Sequence, residues 1–112
     1  NESKPLISID EFDKAELKIG LVLESVEVEG SDKLLKNTIK IGDEVRTIVS
    51  GIKKFYKPGE LVGKKVLVVT NLKPIKLKGI LSSGMVLCAV EGDSKLSVLT
   101  LDKDVECGSE VC

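Results

Sequence analysis

The sequence predicts an all-β domain: a five-stranded barrel over about residues 16–90, preceded by a short N-terminal helix and followed by a C-terminal β extension over about 91–112. Three observations carry this expectation. Apolar residues recur with period two in short segments, Gly, Asp and Pro punctuate those segments, and one long polar connection separates the first three from the last two. A chain of 112 residues, 42% of them hydrophobic, suits one core of modest size and not two.

The elements follow in order. Ser8-Ile9-Asp10-Glu11 has the S-x-x-E form of a capping box, so a helix should run through Phe12 to about Ala15 and lay its apolar face over one barrel end. Leu17, Ile19, Leu21 and Leu23 alternate with other residues, and Val26 and Val28 continue on the opposite parity. A bulge near Leu23 to Ser25 explains the switch, and Gly20 suits a long first strand that must bend. After the turn at Gly30-Ser31-Asp32, Leu35, Ile39 and Ile41 form one face of a second strand and Lys36, Thr38 and Lys40 the other. Gly42-Asp43 marks a tight hairpin into a third strand, Glu44 to Ser50, where Val45, Thr47 and Val49 alternate with Arg46, Ile48 and Ser50.

Gly51 to Gly63 is too polar for a strand and contains Pro58-Gly59, so an irregular or short helical connection is expected, with Phe55, Tyr56 and Leu61 packed inward. Lys65 to Thr70 and Met85 to Val90 are continuous apolar runs, as in strands buried on both faces, and Asn71 to Gly84 is the loop between them. Leu96, Val98, Leu99, Leu101, Val105 and Val111 should form strands that pack on the barrel or on a second copy. Three strands, a connection and two strands is the order of the oligonucleotide-binding barrel, whose ligand face comprises strands 2 and 3 and loops 1-2 and 4-5.

Several functional classes are disfavoured. No run approaches the roughly 18 apolar residues that cross a bilayer, and Asn1 to Asp10 lacks the basic and apolar regions of a secretory signal, which points to a soluble, cytoplasmic protein. The chain begins with Asn1 and not Met, consistent with processing or excision from a longer polypeptide. Cys88, Cys107 and Cys112 are odd in number and lack C-x-x-C spacing, unlike a secreted disulfide framework. With no His, the usual general base and zinc ligand are missing, and no nucleotide-loop or nucleophile-elbow motif occurs. We therefore expect no metal, no cofactor and no catalysis.

The net charge of −1 conceals a strong asymmetry. Lys33 to Lys78 contains twelve basic side chains against three acidic, a net +9, whereas the segments before and after carry −6 and −4. Such a block can be a solvated surface partly neutralised by neighbouring acids on folding. It can equally concentrate positive potential, attract phosphates and release their counterions, and it falls on the ligand-bearing elements of the barrel. Only Phe12, Phe55 and Tyr56 are aromatic, and none lies in a predicted strand, so base stacking on several aromatic platforms is not available. Recognition of a folded RNA by shape and phosphate position is the better fit.

Three ordered motifs then become specific: V-E-G-S-D-K-L-L at Val28 to Leu35, I-G-D-E-V-R-T-I-V-S-G-I at Ile41 to Ile52, and N-L-K-P-I-K-L-K-G-I-L-S-S-G-M-V-L-C-A at Asn71 to Ala89. From about Ile9 onward the chain resembles the tRNA-binding domain found at the C-terminus of methionyl-tRNA synthetases or as a beta subunit, and as a free-standing structure-specific tRNA-binding protein. The resemblance implies non-catalytic tRNA binding at the outer corner of the folded RNA, a homodimer, and association with a synthetase catalytic region; a chaperone-like dimeric barrel is the alternative. The synthetase motifs His-Ile-Gly-His and Lys-Met-Ser-Lys-Ser are absent.

The family pattern falls on Asn71, Leu72, Lys73, Pro74, Lys76, Lys78, Gly79, Ser82, Gly84 and Met85. Lys78 stands where many members have Arg, which removes a planar bidentate contact, and Glu29-Gly30 replaces a His-Pro pair common in relatives. Lys73, Lys76 and Lys78 are the leading RNA contacts, because no acid lies between Asn71 and Val90. Ser82 could bond a phosphate or the loop backbone, and Met85 could be core or a contact at the barrel mouth. Should the loop lysines not carry binding, the face lies around Lys33, Lys36, Arg46, Lys53 and Lys54.

Overall fold

The computed structural model describes residues 3–112. Asn1 and Glu2, part of the segment read above for a targeting signal, lie outside the described residues. The described residues form a short helix α1 (Ile9–Phe12) and nine strands: β1 (Leu17–Glu27), β2 (Leu35–Ile41), β3 (Glu44–Ser50), β4 (Lys65–Val69), β5 (Ile75–Leu77), β6 (Ile80–Ser82), β7 (Met85–Val86), β8 (Cys88–Glu91) and β9 (Lys95–Val98). Five of them make one antiparallel sheet in the order β3-β2-β1-β4-β7, curled into the oligonucleotide-binding barrel.

β1 is long because it serves two partners. Leu17 to Leu21 pair with β4 and Leu21 to Glu27 with β2, and the register shifts between Val22 and Glu24 as the parity switch required. Leu23 is the extra residue. A Cβ on Gly20 would lie 2.5 Å from Cγ2 of Ile39, so glycine here admits the core side chain of the neighbouring strand. β2 and β3 run in unbroken register from Leu35↔Ser50 to Ile41↔Glu44 around the Gly42-Asp43 turn.

The core joins Val22, Leu35, Ile39, Ile48, Val66 and Val68, none more than 1% exposed, with Ile52 and Leu61 from the connection. Burial of side chains this size contributes roughly 1.5 to 3 kcal/mol each. One polar network lies among them. The Ser25 hydroxyl donates to Asn37 Oδ1 (2.8 Å), and Asn37 Nδ2 donates to the Ile48 carbonyl (3.1 Å) and Ser50 Oγ (3.3 Å), tying β1, β2 and β3 together inside the wall. Asn37 is 1% exposed, and its alternation with Lys36 and Thr38 places it on the same face as Leu35 and Ile39.

Four expectations need correction. The capping box forms, with Ser8 Oγ accepting from Glu11 N and Glu11 accepting from Ser8 N, but α1 ends at Phe12 and buries none of its residues. Leu6, Ile7 and Ile9 are 99, 62 and 71% exposed, so α1 does not cover the barrel end. The loop from Asn71 to Gly84 contains a hairpin, β5-β6, closed by Lys78 (φ 51°) and Gly79 (φ 80°), a two-residue turn with positive φ at both positions. Met85 to Val90 is not one strand buried on both faces. It breaks at Leu87, whose amide bonds the Leu67 carbonyl, and β8 leaves the barrel to pair with β9, which exposes Val90. In the connection, Leu61 is buried and Tyr56 packs on the core, whereas Phe55 remains 36% exposed.

The C-terminal segment packs on its own barrel. Val98 is buried and its amide donates to the Tyr56 hydroxyl (3.0 Å). Beyond it the chain returns to β1, where Gly108 N and Val111 N donate to the Ile19 and Leu17 carbonyls and Ile19 N donates to Ser109. At this crossing a Cβ on Gly108, whose φ is +94°, would lie 2.7 Å from Gly42 Cα. Gly108→Ala should therefore detach the tail and destabilise the fold by about 2 kcal/mol, combining left-handed strain with a backbone clash. Hydrogen exchange checks it: the Ile19 and Val111 amides should lose protection while those of β2 keep theirs.

Candidate nucleic-acid interface

The surface begins with the alternation of β2. Because Leu35, Asn37, Ile39 and Ile41 point inward, Lys36, Thr38 and Lys40 point outward, and register sets Lys36 opposite Val49, Thr38 opposite Thr47 and Lys40 opposite Val45. Lys40 was not among the residues singled out from sequence, although the same alternation that places Lys36 places it. The free edge of β3 then meets the hairpin. Ser83 N donates to the Thr47 carbonyl (2.9 Å), and Ser82 Oγ accepts from Val49 N (2.9 Å). Ser82 is 3% exposed, so its oxygen serves the backbone.

This joint places β5-β6 along the free edge of β3, the strand paired with β2 and its Lys36. Lys73, Lys76 and Lys78 all lie exposed on or beside the hairpin, with Met85 at its base, 46% exposed and paired with Val69. Among the described residues, no carboxylate lies within 4.0 Å of the ammonium groups of Lys36, Lys73, Lys76 or Lys78. Their field is therefore available to a ligand.

Other candidates are committed to the framework. Arg46 shares the inward parity of Ile48 and reaches across the open side of the barrel, donating from Nη1 to the Thr70 carbonyl (2.6 Å) and from Nη2 to Glu44 (3.1 Å). Asn71 donates from Nδ2 to the Lys14 carbonyl (2.6 Å) and accepts from Glu16 N (2.8 Å), anchoring the base of the hairpin to the entry of β1. Beside it, the Thr70 hydroxyl and the charge of Lys18 hold the Glu16 carboxyl below its ordinary range. Lys53 braces the first turn, donating from Nζ to the Ser31 carbonyl (3.1 Å) near Glu27 (3.7 Å), and its amide donates to the Lys33 carbonyl. Lys33, whose carbonyl takes part in that brace, and Lys54, next to Lys53 in the chain, are exposed. Elsewhere Lys65 is paired with Asp104 (2.7 Å) and Lys64 lies over the Tyr56 ring, so part of the basic block is neutralised within the fold.

Among the described residues no group of three or more His, Cys, Asp or Glu is placed to hold a metal. Burial pushes the Cys88 thiol up, away from a reactive thiolate. No helix among the described residues is long and apolar enough to cross a membrane.

Fold and surface together define a class: a small barrel whose β5-β6 hairpin region and β2 carry lysines without carboxylate partners among the described residues. The chain belongs to the family described as "Putative tRNA binding domain", which matches residues 17–110. It is 50% identical over 105 residues to a methionine–tRNA ligase of Caldanaerobacter subterraneus, covering 94% of this chain and 16% of the relative. Against the same ligase of Methanocaldococcus jannaschii it is 50% identical over 110 residues, covering 98% and 17%. The chain thus spans about one sixth of the length of these relatives. Among solved structures it is similar to a methionyl-tRNA-synthetase-related protein from Pyrococcus horikoshii (TM-score 0.92, 38% identity, 97% of this chain and 100% of that one). It is also similar to a CsaA chaperone protein from Picrophilus torridus (TM-score 0.86, 28% identity, 96% and 100%).

Proposed function

We propose that this chain is a non-catalytic module that grips folded tRNA and works with a methionyl-tRNA synthetase catalytic region in the cytoplasm. The observation that carries the reading is the set of lysines on β5-β6 and β2, unpaired with carboxylates, on a barrel of the tRNA-binding family. Ammonium groups held at fixed spacing match the phosphates of one folded contour better than those of a flexible strand. Attached to a synthetase, the module raises the effective concentration of tRNA and leaves the reaction itself untouched. Lys36, Lys73, Lys76 and Lys78 are the principal contacts, with Met85 at the edge of the face and Lys33 and Lys54 extending it. Arg46, Lys53, Asn71 and Ser82 position these elements.

Filter binding tests this reading. Folded tRNA should bind at least tenfold more tightly than an unfolded RNA of equal length, and different tRNAs should bind alike. Lys95, beside Glu91, and Lys103, in the acidic tail, serve as controls whose replacement by Ala should change little. Equal affinity for the unfolded RNA would remove the proposal.

A homodimer is part of the same reading. Its support is the exposed apolar set Leu6, Ile7, Ile9 and Phe12, which no other described residue of this chain covers. Light scattering at micromolar concentration should give twice 12.1 kDa, and Ile9→Lys with Leu6→Lys should return the monomer. A single 12.1 kDa species for the unaltered chain would refute it. A second reading, a chaperone-like interaction barrel, draws support from the 28% identical CsaA structure and from exposed Leu72, Ile75 and Met85. It requires binding of unfolded polypeptide with little effect of salt.

A further inference from the structure

Between β3, the β5-β6 hairpin and β9 lies a groove of about 570 Å³ whose apolar walls have no part in the lysine contacts proposed above. Val49, Leu72, Ile75, Met85 and Leu96 line it, and Lys73 is the only charged residue among the described residues that line it. Register explains the apolar wall. Ile75 pairs with Ser82, whose hydroxyl is bonded to β3, so Ile75 shares the hairpin face that carries Ser82, whereas Lys76 takes the opposite one. Leu72, Ile75 and Met85 remain 47, 57 and 46% exposed, although the barrel core beneath them is complete without them.

A ligand that suits this groove needs a flat, largely apolar body to cover aliphatic and thioether surface, and an anion adjacent to it for Lys73. A nucleotide lifted out of its stack has both, and methionine sulfur makes favourable contacts with aromatic rings. An apolar peptide side chain would meet the walls but offers Lys73 no charge, and no acidic residue occurs between Asn71 and Val90 to satisfy it internally. We propose that the groove receives one unstacked nucleobase of the bound RNA, with an adjoining phosphate on Lys73. The proposal rests on the tRNA reading and adds to it a base-directed contact in a chain that has no aromatic residue on this face.

Methyl NMR of the intact chain with tRNA provides the test. An aromatic base in the groove should shift the Leu72, Ile75 and Met85 methyl resonances upfield by ring currents, and a fully paired RNA duplex should not. Leu72→Ala with Met85→Ala should weaken tRNA binding about tenfold or more without changing its salt dependence, the reverse of what a lysine variant does. Unshifted core methyls of Val66 and Val68 establish that the variant is folded. If the unaltered chain binds tRNA with strong salt dependence while the groove methyls stay unmoved and the double variant binds normally, the groove proposal fails and the tRNA reading stands. If the unaltered chain fails to bind tRNA, both fail together. Equal methyl shifts with the paired duplex, or shifts only with an unfolded polypeptide, would overturn it in favour of a nonspecific or a peptide site.

Discussion

Replacing Lys73, Lys76 and Lys78 together by Ala should weaken tRNA binding by about two orders of magnitude at 0.1 M salt and flatten the log-affinity against log-salt line by about 2 to 3. The estimate takes one released counterion per lysine and roughly 0.7 to 0.9 of slope for each. The three lie exposed on or beside one hairpin without neighbouring carboxylates, so no internal ion pair is broken when they are removed. Stability should therefore change little, and the loss should be nearly uniform across tRNAs because phosphates carry no sequence. Retention of full affinity and full slope by a folded triple variant would move the binding face to Lys33, Lys36 and Lys54.

Asn37→Ala should lower stability by about 3 kcal/mol, or roughly 12 °C in Tm for a chain of this size. The substitution leaves the Ser25 hydroxyl and Ser50 Oγ inside the wall without their Asn37 partner and removes a second donor from the Ile48 carbonyl, which stays in the β2-β3 ladder. Each such group costs about 1 to 3 kcal/mol when it is dry, and partial entry of water keeps the sum near the lower bound. Thermal unfolding followed by circular dichroism reads the effect directly. A loss below about 1 kcal/mol would mean that the three strands are held without this network, by their ladders and apolar contacts alone.

Period-two patterning made the second strand legible because one of its faces is buried and the other is more exposed. Leu35, Ile39 and Ile41 against Lys36, Thr38 and Lys40 is that signal in full, and the parity switch after Leu23 located the bulge. The β5-β6 hairpin was harder to read. Its strands have three residues each, Ile75 is exposed on the apolar face, and its turn carries Lys78, not the Asn or Asp usual for positive φ. Continuous apolar runs mislead in a related way: Met85 to Val90 looks uniform in sequence, and only the competing partners, β4 on one side and β9 on the other, divide it at Leu87. For the site, sequence identified which residues are basic but not which ones face carbonyls across the barrel. Arg46 beside Thr70 and Asn71 beside Lys14 are tertiary relationships spanning 24 and 57 positions, and no local pattern announces them.

The return of the chain to β1 bears on how the barrel avoids self-association. β2 leaves β1 after Lys40, so the stretch from Leu17 to Ile19 would present bare amides and carbonyls on that side. Gly108, Ser109 and Val111 fill those positions with their own backbone groups. An unpaired strand edge is a template on which any extended polypeptide can add itself, including a second copy of the same chain. The last few residues thus act as a permanent guard against edge-to-edge stacking, which allows the barrel to carry exposed apolar side chains for binding without growing into sheets.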